Sequence, residues 1–118
     1  MDEQQFKKRT KQFALRVIKL VEELPRGRTT EVLGKQLLRA ATSVGANYRA
    51  ACRGKSVADV IAKLGVVEEE ADESLFWMEI MSELGMAPTS ELTELIPEAN
   101  EIVAMTVASI KTLRGQRR

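Results

Sequence analysis

From Gln36 to Leu84 the chain reads QLLRAATSVGANYRAACRGKSVADVIAKLGVVEEEADESLFWMEIMSEL. Two apolar periodicities of helical length run through it, separated by the tight turn around Gly54. The first half is crowded with small residues: Ala40, Ala41, Ser43, Gly45, Ala46, Ala50 and Ala51. The second half carries the acidic run from Glu68 to Glu73 and then Leu75-Phe76-Trp77-Met78. Leu37, Ala41, Val44, Tyr48 and Ala51 recur in steps of three and four, as do Leu64, Val67, Ala71, Leu75 and Met78, so each half presents one apolar stripe. The stretch therefore predicts two antiparallel helices at the heart of an all-α, up-down-up-down four-helix bundle.

Outward from this hairpin the chain supplies one helix on each side. Phe6, Thr10, Phe13, Val17, Leu20 and Leu24 form the seam of a first helix over Glu3–Leu24, which Pro25 stops. The second helix is expected over Thr30–Arg53, with Thr30 as N-cap and Gly54 as a left-handed C-cap. Ser56-Val57-Ala58-Asp59 resembles a capping box with Asp in place of Glu and opens the third helix, Val57–Leu84. Leu92, Leu95, Ala99, Ile102, Ile110 and Leu113 carry the fourth, Ser90–Leu113, where Pro97 predicts a kink or a frayed first turn. A basic tail, Gly115 to Arg118, follows. At 118 residues there is material for one domain, residues 1–118.

No apolar run approaches membrane-spanning length, and the N-terminus lacks the apolar segment of a secretion signal. The single cysteine, Cys52, excludes an internal disulfide, so the expected location is the cytoplasm. Charge is distributed unevenly: 13 basic and 5 acidic residues precede Ser56, whereas 5 basic and 12 acidic residues follow from there. Such halves attract one another within a bundle or between subunits, or they form a basic face for a polyanion. Candidates for the latter are Lys7, Lys8, Arg9, Lys11, Arg16, Arg49, Arg53 and Lys55, with Arg114, Arg117 and Arg118 at the far end. There is little aromatic interleaving among them, so base stacking is not indicated.

Histidine is absent, which removes a Ser-His triad, a Cys-His pair and the Glu-x-x-His ligands of di-iron bundles. No cofactor is expected. The one enzymatic constellation is acidic: Glu69-Glu70-x-x-Glu73 and Glu98-x-x-Glu101. Facing across a bundle, these carboxylates would hold magnesium, as in helical nucleotide pyrophosphohydrolases; the bland reading is a solvated face. Asn47 lies beside the stripe of the second helix and needs a partner, for which Glu70 or Glu73 is the expected choice. Phe76, Trp77 and Ile80 widen the third helix's apolar surface beyond what one bundle interior uses, which marks an oligomer interface.

Leu37 to Ala51, Ile61 to Leu64 and Glu70 to Trp77 resemble the 23S ribosomal RNA intervening-sequence proteins, over nearly the whole chain. Ser43-Val-Gly-Ala-Asn47 and Glu70-Ala-x-Glu-x-x-x-Trp77 are the marks. The family pattern often has Lys before that Glu-Ala; Glu69 stands here. The resemblance implies a four-helix bundle assembling as a ring-like homopentamer, with no catalytic residues. A group related to that family, the accessory proteins of diversity-generating retroelements, binds nucleic acid through a basic surface, so the resemblance also implies RNA or DNA as a partner. The expectation is thus a non-catalytic oligomeric bundle that binds nucleic acid or acts as a scaffold; the alternative is a magnesium-dependent nucleotide hydrolase.

Overall fold

Four helices follow one another in the structure, a computed structural model that describes residues 2–116: α1 (Glu3–Glu22), α2 (Arg28–Cys52), α3 (Val57–Glu83) and α4 (Thr89–Gln116). No strand occurs among the described residues. The bundle is 50 Å long and 21 by 20 Å across; its longest helix, of 28 residues, spans about 42 Å of that length. Arg117 and Arg118 of the expected tail lie outside the described residues, while Gly115 and Gln116 continue α4.

Local chemistry sets the helix ends. Asp2 Oδ1 accepts from the backbone N–H groups of Gln4 (2.8 Å) and Gln5 (3.3 Å), capping α1. Ser56 Oγ accepts from the Asp59 N–H at 3.1 Å, as the capping box predicts. Its reciprocal half is displaced by one residue, because Asp59 accepts from the Lys55 N–H at 3.0 Å. α3 ends in a Schellman motif: Gly85 sits at φ 65°, the Met86 N–H reaches the Met81 carbonyl and the Gly85 N–H that of Ser82.

Several details differ from expectation, among them the ends of α1, at Glu22, and of α4, at Gln116. α2 opens at Arg28, two residues early, because Gly27 at φ 156° turns the chain and its carbonyl accepts from the Glu31 N–H; Thr30 is not the cap. Gly54 is not left-handed. Its glycine is required by space, since a Cβ there would lie 2.4 Å from Val60 Cγ2. α4 runs unbroken through Pro97 from Thr89.

The core joins Phe6, Phe13, Val17 and Leu20 of α1, Leu37, Val44 and Tyr48 of α2, Val67, Met78 and Met81 of α3, and Leu92, Leu95 and Ile102 of α4. Phe6 meets Tyr48 edge to face at 4.7 Å. The buried hydroxyls of Thr10, Ser74 and Thr106 each donate to the carbonyl four residues back, so none needs a partner on another helix. α2 packs most extensively on α3, and α3 on α4; the α1–α4 seam is the thinnest.

Candidate functional site

Two glycines on α2 fix how α1 lies against it. A Cβ at Gly45 would stand 3.5 Å from the Thr10 backbone, and one at Gly34 would stand 3.4 Å from Val21. Residues 7–11 of α1 therefore lie beside residues 44–48 of α2. This register sets the exposed Lys11 on the same face as the exposed Arg49, Arg53 and Lys55, toward one end of α1 and α2; Lys8, also exposed, faces the other flank, toward α4. Among the described residues, none of these five side chains enters an ion pair.

The other three basic candidates are placed differently. Lys7 pairs along its own helix with Glu3 at 3.4 Å. Arg9 and Arg16 lie on the flank of α1 that meets α4. Arg9 grips Glu98 through two hydrogen bonds of 2.7 Å and reaches Glu101 at 3.0 Å. Arg16 reaches Glu94 at 3.1 Å. The bonds to Glu98 raise the Arg9 pKa further and hold the Glu98 carboxyl below the usual glutamate range. These two arginines fasten the bundle and are withdrawn from any basic surface.

The acidic pairs do not converge. Glu70 and Glu73 turn toward α2, where Arg39 bonds both, to Glu70 at 2.9 Å. The hydrogen bond from Arg39, with a lesser one from the Trp77 indole, lowers the Glu73 pKa. Glu98 and Glu101 turn toward α1, and Glu69 is exposed. Among the described residues no group of three or more acidic, histidine or cysteine side chains is placed to hold a metal ion.

The expected Asn47 contact is corrected by the same geometry. Asn47 Nδ2 donates to the Ser43 carbonyl of its own helix at 2.8 Å, and Arg39 makes the α2–α3 polar contact instead. Arg39 and Asn47 are eight residues apart, about 12 Å along the helix, so Asn47 sits two turns from the level of Glu70 and Glu73. Sequence reasoning passed over Arg39, although a signal existed. In a helical hairpin, residues equidistant from the turn face each other, and about Gly54-Lys55 residue 39 is the counterpart of residue 70.

On α3, Phe76 is 53% exposed and packs edge to face on the half-buried Trp77 at 5.1 Å; Ile80 is half-buried beside them. Leu84 (60% exposed) and Val32 (56% exposed) add apolar surface. Val32 lies seven residues before Arg39 on the same flank, and Trp77 lies seven beyond Glu70. The antiparallel register thus brings Val32 and Trp77 to one level. No described helix is long and apolar enough to cross a membrane.

The chain is similar to known proteins over most of this fold. A family model described as the 23S rRNA-intervening sequence protein matches residues 2–108. A crystal structure of a protein of unknown function from the S23 ribosomal protein family of Bacteroides thetaiotaomicron is 31% identical, with a TM-score of 0.86 over 94% of this chain and 99% of that one. Comparison with curated proteins gives no match. The four-helix architecture, the match across nearly its full length and the solved neighbour agree: the chain belongs to the 23S rRNA-intervening sequence protein family.

Proposed function

We propose that this protein is a non-catalytic, ring-forming homo-oligomer, a pentamer, that binds RNA or DNA through the basic end of its α1–α2 face. The observation that carries this reading is the cluster of Lys11, Arg49, Arg53 and Lys55, exposed and outside every ion pair among the described residues, with Lys8 exposed on the neighbouring flank. The apolar surface of Phe76, Trp77, Ile80 and Val32 supports the assembly half, because contiguous exposed apolar surface marks contact sites. One such cluster attracts phosphates weakly. Five copies held in a ring raise the effective concentration of each successive contact. The cluster offers neither aromatic stacking nor a groove reader, so the binding is electrostatic and insensitive to sequence.

The test is fluorescence anisotropy with a labelled single-stranded RNA, beside light scattering of the protein alone. A ring mass is expected, with affinity falling on the order of a hundredfold between about 50 and 200 mM salt. Combined Lys11→Glu, Arg49→Glu and Arg53→Glu should abolish binding, while Arg16→Gln leaves it intact. A monomer mass removes the ring; a ring that ignores both RNA and DNA at low salt removes the nucleic-acid role.

A further inference from the structure

Below Arg9, at the end of the bundle where both described termini lie, a cavity of about 600 Å3 lies between the start of α1 and the last turns of α4. All four helices line it. Tyr48, Ala51 and Leu64 are buried beneath it, Cys52 and Val60 flank it, and α4 contributes Met105, Ala108, Ser109, Thr112 and Leu113. Ala51, Ala108 and Ser109 are small where larger side chains would have closed the space. Arg9 seals one edge, where its Nη1 donates to Met105 Sδ at 3.1 Å.

We infer that this cavity is a binding site for a small, uncharged, mostly apolar molecule carrying one hydroxyl or carbonyl group. Its volume falls within the range of ligand pockets, and its walls are apolar with a few neutral polar groups, as such pockets are. The phenol of Tyr48 and the thiol of Cys52 both line it, and burial raises both pKa values, so both stay neutral at physiological pH. They offer a hydroxyl and a thiol to a polar head, with no charge for an ion. Glu3 at the rim already pairs with Lys7, so it contributes no uncompensated charge. An ionic head would have to shed its hydration for walls that cannot replace it. A neutral apolar body releases poorly bonded water from the same walls.

The probe is N-phenyl-1-naphthylamine, an uncharged fluorophore that brightens in apolar sites, titrated into the intact protein. Saturable binding at one site per chain is expected. Ala108→Leu, a substitution at the exposed mouth that leaves the core untouched, should weaken it at least tenfold, whereas Phe76→Ser should leave it unchanged. Octanol should displace the probe at least tenfold more effectively than octanoate or octylammonium. Bound probe should also slow alkylation of Cys52 by iodoacetamide. No saturable binding, or binding lost with Phe76→Ser and kept with Ala108→Leu, overturns the site. Displacement by octanoate or octylammonium as effective as by octanol overturns the uncharged class of ligand.

Discussion

Gly45 and Gly54 show how differently one residue type can be constrained. At Gly45 a methyl would make ordinary van der Waals contact with the Thr10 backbone, 3.5 Å away. Gly45→Ala should therefore gain helix propensity without a clash and stabilise the protein by about 0.5 to 1 kcal/mol. At Gly54 the same methyl meets Val60 Cγ2 at 2.4 Å, with the Ala51 carbonyl at 3.1 Å and the Val60 nitrogen at 3.2 Å. Val60 is β-branched and stiff, so Gly54→Ala should cost about 1 to 3 kcal/mol. Urea unfolding of the two variants measures both, and a destabilised Gly45→Ala would contradict the spacing. The apolar stripe of α2 and the Ser56 cap were legible in sequence because each depends on neighbours within a few residues. The reason for Gly54 was not, since its conformation looks like a cap until the chain beyond the turn is laid against it. Asn47 failed similarly: its need for a partner is local, but its level against α3 depends on where the turn places the register.

Helices α2 and α3 form a broad hairpin seam, whereas α1 and α4 meet narrowly and are fastened by Arg9 and Arg16. The Glu98 carboxyl is held below its usual range by Arg9. Its contribution is therefore complete above the unfolded value of about 4.3 and is lost as pH falls through the lower folded value. Glu98→Gln should destabilise the protein by about 1 kcal/mol at pH 7, Arg9 keeping Glu101 as a partner. The gap from the parent should close as the pH is lowered through the acid range. Denaturation at a series of pH values reads this directly, and a gap unchanged in acid would mean that the loss at pH 7 is not electrostatic. The pairing of these helices was visible in their stripes, but the cavity between them was not. It lies where α4 runs on past the level at which α1 begins, an offset between two elements far apart in sequence that periodicity does not encode.

At the scale of the molecule, part of the charge asymmetry of the sequence is met inside the bundle. Arg9, Arg16 and Arg39 of the basic half meet Glu98, Glu101, Glu94, Glu70 and Glu73 of the acidic half. What remains exposed on the basic side is Lys8, Lys11, Arg49, Arg53 and Lys55 toward one end of α1 and α2, and Lys19, Arg26, Arg28 and Lys35 toward the other. The list of candidate cations was thus readable from sequence, but not their sorting into fasteners and surface, because each depends on which flank faces a neighbour. An even number of antiparallel helices also returns the chain to its starting end, so α1 and α4 begin and finish side by side at the narrow seam. Force applied between the two ends would load that seam as a zipper, one contact at a time, instead of shearing whole helices past each other. Held in optical tweezers by its termini, a single chain should yield first by peeling α1 away at low force, with the α2–α3 hairpin rupturing last. Attached through residues 55 and 87, at the turns on either side of α3, the same chain should resist to higher force.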